Sequence, residues 1–506
     1  PQPRWDSVAG DIQRYRLAGV QTTRGCPYDC EFCDVIHLFG RQPRHKPVAS
    51  VVEEVKALQK LGAQRVFVCD DDFIGDKRYA KELLRALIPV NNSFDPPMTF
   101  STQLTIDLAQ DEELMELMAD CNFTQALIGI ETPRTASLEE TNKIQNLRRD
   151  LVEDCRKIHS YGIAVKAALI VGFDNDDTMV FDEQIRFVEQ AHIPITTINT
   201  MKAYPGTPLW VRLQRENRVV DVEDIYNDSP KVVTNILPKG MTRVELLEGY
   251  LRLITEVRSW QSYSKRMKSF ITGIKRKANV AAPSPAVRAQ RMDKLAKARE
   301  SLNWLPEDAR NAVTELIVLT MQHAPHMIEH VGVLTMQHAM DHALIPYHAE
   351  IIQRQIEKTK SGQLKLAPDP SAGMIPEGFQ AALRGKIPMI FDRLAADMNH
   401  QPDVPEAIVA VLKDFLIRWG PTFERFEDYH DVYLHELCDR HIQRFNRKDG
   451  HSAAQNANGR LNGSPLKREL VQSARFLSAV LVAVEQEMRG QVRSMLNVDA
   501  IPLTIK

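Results

Sequence analysis

The chain has 506 residues, 43% of them hydrophobic and 26% charged, with a formal net charge of −2. That mix is ordinary for a globular protein, and the near-neutral balance gives no reason to invoke nucleic acid or an acidic membrane surface. No run of about 18 apolar residues suggests a transmembrane helix, and no signal peptide is visible. Seven cysteines are too few for a disulfide scaffold in a chain this long. Three of them are grouped at ligand spacing, which points to a reducing, cytoplasmic setting. The first residue is Pro1 rather than Met, so a processed start and a piece of a longer protein are the two readings. At about 150 residues per domain the length predicts two or three domains.

Up to residue 215 short β-rich runs alternate with helical patterns. Strands are predicted over 19–23, 65–69, 99–104, 125–130, 164–171 and 196–201. Helices are predicted over 48–61, 77–87, 111–120, 151–161 and 177–191. Six βα units in series imply a parallel sheet with helices outside, curled by right-handed crossovers into a partial (β/α)6 TIM-like barrel. Past 215 the pattern turns helical. Helix is predicted over 241–275, a linker over 278–289 (Ala-Ala-Pro-Ser-Pro), and helices over 306–358 broken near Pro325 and Pro346. Residues 358–378 read as loop, 378–418 and 430–446 as helix, 447–465 as a Gly/Asn/Ser-rich loop, and 466–496 as a last helix. The predicted domains are a barrel core over 1–235, a helical extension and linker over 236–290, and an α-helical domain over 291–506. Residues 318–324 recur as 333–339, too few copies for a solenoid.

The chemistry is concentrated in Cys26, Cys30 and Cys33, spaced C-x3-C-x2-C in a loop after the first predicted strand. Three thiolates at this spacing can hold three irons of a 4Fe–4S cluster and leave the fourth open to a small molecule. A structural zinc site would want a fourth ligand, and no further cysteine follows at short spacing. In a parallel barrel the chemistry collects at the C-terminal ends of the strands, where this loop lies. Gly25 permits the turn into the loop. Cys69 reads as a small buried hydrophobe.

The cysteine loop resembles the signature of radical S-adenosylmethionine (SAM) enzymes. Residues 20–26, Asp34-Val35, 38–41, 71–75, 128–132, 170–174 and 205–209 resemble the cobalamin-associated branch, which includes many methylases of unactivated carbon. The resemblance covers about residues 1–260. Members of that branch usually carry a cobalamin-binding domain ahead of the segment with which this chain begins, and no Asp-x-His-x2-Gly motif occurs here. The resemblance implies that Cys26, Cys30 and Cys33 ligate the cluster and that SAM chelates the fourth iron. Reductive cleavage of SAM would then yield a 5′-deoxyadenosyl radical that takes hydrogen from substrate, the cofactor carrying the hard chemistry. Phe32 would pack near the cluster and adenine. Asp70, Asp71 and Asp72 would face the SAM amino group, or form a solvated acidic turn. Gln103 and Glu131 would meet ribose or methionyl groups, Glu131 with a structural salt bridge as its alternative. Arg148 or Arg149 would pair with the SAM carboxylate or lie on a helix surface. Gly172 and Asp174 would border the adenine, and 205–208 would close the site, unless both are plain structural turns. The implied partners are a small-molecule or lipid-like substrate and an external electron donor such as flavodoxin or ferredoxin. Cobalamin is a further implied cofactor if its domain lies upstream.

The same start could serve a non-methylating rearrangement, oxidation or carbon–carbon bond formation. Outside that class stand an iron–sulfur electron-transfer protein and a helical metal-binding protein. The latter would use His323, His326, His330, His338, His342 and His348, of which His338 and His342 share a helix face with Asp341 or Glu329 nearby. His435, Cys438 and His441 form a second set. The plain reading of both sets is ordinary core and surface histidine.

Overall fold

In a computed structural model of the chain the described residues are 3–367, apart from 11, 13, 14, 16, 222–231 and 290–303. Contacts divide the chain into two units, Pro1–Ala367 and Pro368–Lys506. The division falls inside the predicted third domain. The helices predicted over 378–418, 430–446 and 466–496, and the His435, Cys438, His441 set, lie outside the described residues.

The first strand, β1 (Ala18–Val20), is followed by β2 (Thr23–Arg24), α1 (Val35–Phe39) and β3 (Arg44–His45). β1 is shorter than the predicted 19–23 because the chain turns toward Asp70. The Thr22 and Thr23 amides donate to its carboxylate at 2.6 and 2.9 Å. β2 and β3 pair antiparallel as a small flap. The chain then runs α2 (Val48–Lys60), β4 (Arg65–Val68), α3 (Lys77–Asn92), β5 (Thr99–Leu104), α4 (Glu112–Asp120), β6 (Phe123–Glu131), α5 (Thr135–Glu140), α6 (Leu151–Ser160), β7 (Ala164–Val171), α7 (Val180–Gln190) and β8 (Ile195–Thr200). The six long-range strands lie in the order β1-β4-β5-β6-β7-β8, every neighbour parallel. This is the predicted open (β/α)6 arc, with all strand C-termini on one rim.

Alternation along the strands sets the two faces. Ala126, Ile128 and Ile130 of β6 and Val165, Ala167, Leu169 and Val171 of β7 are wholly buried in the core shared with the helices. The residues between them, such as Gln125, Leu127, Lys166 and Ala168, are half-buried and belong to the other, concave face. Asp76, Asp111 and Asp150 cap α3, α4 and α6 by accepting amides of the first turn, satisfying donors that would otherwise be orphaned. α3 passes Pro89 and outruns its predicted end at 87. Buried Asn91 holds that last turn, donating to the Met98 and Cys121 carbonyls and accepting the Met98 amide.

Among the described residues the first unit continues with α8 (Pro208–Arg215), α9 (Arg243–Val257), α10 (Trp260–Gly273), α11 (Glu307–His323), α12 (Ile328–Ala343) and α13 (Ile345–Lys360). The single helix predicted over 241–275 is two, since the Ser259 hydroxyl caps a new start. α9 and α13 add Leu246, Tyr250, Leu253, Ile351 and Ile352 to the main core. α10, α11 and α12 build a second core that takes in Ala164 and Ile195, the first residues of β7 and β8. These helices therefore pack at the N-terminal end of the arc. Buried Arg266 locks α10 there, donating to the Ile193 carbonyl at 2.7 Å and the Val257 carbonyl at 2.9 Å and pairing with Glu189 at 3.0 Å. The predicted linker is pinned as well. Arg276 and the Asn279 amide bind Asp120, and the Ala281 and Ser284 amides bind Asn92 and Asp95. Among the described residues no helix is long and apolar enough to cross a membrane.

Candidate active site

The three cysteines lie on the loop between β2 and α1, at the C-terminal rim. Gly25 begins the loop at φ +105°, where a Cβ would come within 2.8 Å of the Gln42 carbonyl oxygen, so only glycine fits without movement. Its amide donates to Asp71 at 2.7 Å, and the Cys26 amide donates to the Gly40 carbonyl at 3.3 Å. The Cys33 amide closes a turn on the Cys30 carbonyl at 3.1 Å. Cys30 is buried, and Cys26 and Cys33 are half-buried. Burial pushes the Cys26 thiol up to about 12 and raises Cys30 and Cys33 as well. Three desolvated thiols gain most from a metal, which replaces the proton and stabilises the thiolate.

The segment after α5 supplies the other wall. The Glu31 amide donates to the Thr141 carbonyl at 3.0 Å, and Asn142 donates to the Asp29 carbonyl at 2.9 Å. Gln145 reaches the Cys30 sulfur at 3.7 Å. Lys143, buried, pairs with buried Glu131 at 2.8 Å and stands 6.0 Å from the Phe32 ring centre. Burial works to lower the Lys143 pKa, but Glu131 and the nearby Cys30 outweigh it and raise it. Gly129 makes room for this pair, since a Cβ there would sit 2.4 Å from Glu131 and 2.7 Å from Lys143. Glu131 itself adopts a left-handed backbone, φ +63°.

The strand-end carboxylates hold loops. Asp70 is spent on Thr22 and Thr23, and Asp71 on Gly25. Asp72 accepts the Ile74 and Thr105 amides with Oδ1, each at 3.3 Å, while its buried Oδ2 has no donor. Burial lifts Asp72 to about 6, against the pull of those amides and Lys143. The Gln103 carbonyl accepts the Phe73 amide at 3.1 Å. Phe32 meets Phe173 edge-on at 6.4 Å in a small apolar cluster with Met201, Ala203, Leu209 and Trp210.

Arg148, Arg149, Gly172 and Asp174 each have surroundings of their own. Arg148 is exposed, whereas Arg149 is bound to Asp107 at 2.5 Å and Asp154 at 2.7 Å. Gly172, at φ +104°, faces Leu246 of α9, which a Cβ would meet at 3.1 Å. Its amide and that of Phe173 bind Asp176. Asp174 pairs with Arg212 at 2.5 Å and with Arg218. Burial opposes its ionisation, yet the two guanidinium groups hold its pKa below the ordinary carboxylate range. Arg212 also grips Glu31 of the cysteine loop at 2.7 and 3.0 Å, so α8 braces that loop.

Lys143, Gln145, Asn146, Asp176 and Arg212 were not singled out from the sequence. No motif spacing marks them, because they reach the rim from loops and helices beyond the strand ends. Two histidines of the helical region, His338 and His342, pack against aromatics. His338 stacks on Tyr263 at 3.8 Å and meets Trp260 edge-on at 4.7 Å, and His342 Nδ1 donates to the Arg258 carbonyl at 2.8 Å. Among the described residues no three His, Cys, Asp or Glu side chains converge on a single-ion site. A zinc ion would draw the three cysteines onto one centre. Ligands of an iron–sulfur cluster each take a different iron and need not converge.

Residues 20–185 match the family described as the radical SAM superfamily, and residues 207–358 match a domain of unknown function, DUF4070. The first of these matches places a radical SAM domain within the barrel part of the chain. It is 43% identical over 239 residues to an uncharacterized methyltransferase of Synechocystis, covering 47% of this chain and 44% of that protein. It is 37% identical over 211 residues to the hopanoid C-2 methylase of Rhodopseudomonas palustris, covering 42% and 40%. The matches thus span less than half the length of either relative. A solved structure of a cobalamin-dependent SAM radical enzyme, OxsB, aligns over 73% of this chain and 59% of its own at 15% identity, with a TM-score of 0.40.

The superfamily implies a 4Fe–4S cluster and SAM, and the residues present fit both. The cysteines offer three soft donors on one loop. The Oδ2 of Asp72, Oε1 of Gln145 and Oδ1 of Asn146 are buried acceptors without donors, and an ammonium or hydroxyl-bearing cofactor supplies what they lack.

Proposed function

We propose that the chain is a radical SAM enzyme that methylates an unactivated carbon of a small-molecule or lipid-like substrate. The observation that supports this best is the cysteine loop at the strand C-termini beside the Lys143–Glu131 pair and the unpartnered Asp72 oxygen. Cys26, Cys30 and Cys33 would hold the cluster, which with SAM supplies one-electron cleavage of a carbon–sulfur bond. Asp72 would accept from the SAM ammonium. Lys143, anchored by Glu131, would place positive charge where the SAM carboxylate lies and near the cluster thiolates. Phe32 and its apolar neighbours would keep water off the reacting face. Asp71, Asp70 and Arg212 would hold the loop in place without touching the cofactor.

Methylation is favoured over other radical outcomes because both relatives named above are called methyltransferase or methylase. Cobalamin enters this reading as the carrier of the methyl group. An external donor such as flavodoxin or ferredoxin would deliver the electron.

The test is anaerobic reconstitution with iron and sulfide, then SAM and a strong reductant. Wild type should bind about four irons per chain and release 5′-deoxyadenosine. The Cys26→Ala/Cys30→Ala/Cys33→Ala variant should do neither. Iron content that survives the triple substitution would overturn the assignment. Methylated product that appears only when cobalamin is added would establish the methylase reading, and a product without a new methyl group would refute it.

A further inference from the structure

A cavity of about 520 Å³ lies at the opposite end of the barrel from the cysteine loop. Thr99 opens β5, Phe123 and Thr124 open β6, and Gly162 precedes β7, so its upper wall is the N-terminal rim of the parallel sheet. Its floor is the single turn Pro325–Met327 and the start of α12, and its side is the pinned segment 276–288. The volume falls within the roughly 300–1,000 Å³ of small-molecule sites.

The lining is mostly apolar, with Phe123, Tyr161, Met321, Met327 and Ile328 prominent. Two features are not those of a packing defect. His330 is 8% exposed, and its Nε2 has no hydrogen-bond partner. A buried polar atom left unpaired costs about 1–3 kcal/mol, and a ligand group can remove that cost. The cations at the cavity are also unequal. Arg276 is spent on Asp120, at 2.9 and 3.1 Å. Lys277 and Arg288 are exposed, and neither meets a carboxylate among the described residues. Glu329, the acid in the lining, is already partnered.

From this geometry we infer that the cavity is a second ligand site, separate from the cluster, for an amphiphilic anion of the fatty-acid class. Its apolar body lies among Phe123, Met321, Met327 and Ile328, and its acid group meets Lys277 and Arg288 at the rim. His330 offers one hydrogen bond to a second polar group, such as a chain hydroxyl, where the fatty acid carries one. A purely apolar ligand would leave His330 and both cations unused, and a small inorganic anion would leave the apolar walls empty.

The test is calorimetric titration of the full chain with dodecanoate below its micelle concentration, with 1-dodecanol as the uncharged control. One saturable dodecanoate site per chain is expected. Met327→Trp, which fills the cavity, should weaken it at least tenfold. Arg288→Glu should weaken dodecanoate several-fold and leave dodecanol unchanged. Met321→Trp is a second filling variant at a half-exposed position, in case Met327→Trp does not fold. Melting temperature and iron content of each variant separate loss of the site from loss of the fold. Non-saturable binding, or wild-type titration by both filling variants, would overturn the inference. So would equal loss of dodecanol and dodecanoate in Arg288→Glu, which would remove the anionic class.

Discussion

Lys143 and Glu131 form an ion pair, both members nearly out of solvent. Removing one partner leaves the other charge buried alone, at a cost of about 3–5 kcal/mol. Lys143→Met and Glu131→Leu should each lower the denaturant midpoint sharply. The double variant should recover most of the loss, and simple additivity would refute the coupling. Lys202 poses the opposite case. It follows β8 at the same rim, is 6% exposed, and burial alone pulls its pKa down to about 8. The folded state then binds fewer protons than the unfolded state between about pH 8 and 10.5, so Lys202 makes stability rise with pH across that window. Below pH 8 the buried ammonium costs roughly 3 kcal/mol. Lys202→Met should therefore be the more stable protein at pH 7, with the advantage shrinking toward pH 10. Thermal melts of the pair at both pH values would decide this.

Among the elements, α8 and α9 carry more of the site than their distance in sequence suggests. Arg212 of α8 joins Glu31 in the cysteine loop to Asp174 after β7. Arg212→Leu should leave the fold intact and make the reconstituted cluster leak iron faster, read as the half-life of its visible absorbance. On α9 a Cβ at Gly249 would lie 2.1 Å from the Phe181 ring of α7. That ring is buried and cannot swing aside, so Gly249→Ala should cost about 1–3 kcal/mol by overpacking. An unchanged melting temperature would show that α7 and α9 are free to separate. The series of strands and major helices was legible because each has its own period of apolar residues. α1, α5 and α8 were not, since five to eight residues give too few turns to show one.

For the molecule as a whole, the barrel and its helical extension are one structure. A chain ended at 235 would strip α9 and α13 from the main core and uncover Ala164 and Ile195 at the starts of β7 and β8. It should aggregate, whereas a chain ended at Ala367 should fold and bind iron, because its contacts form a unit of their own. Light scattering and iron content distinguish the two outcomes. The sequence by itself determined what a local pattern can carry: six βα units, the rim on which chemistry collects, and three cysteines spaced for a cluster. Covalent spacing and strand period are short-range properties, and one chain displays them without its fold. Only the tertiary structure decided which strand-end carboxylates were spent on backbone amides, and that Asp72 kept a free oxygen. It alone brought Lys143 to Glu131 and Arg212 to Glu31, since these contacts join loops and helices with no shared period. It also hollowed the cavity at the far rim, which depends on how two separate cores meet.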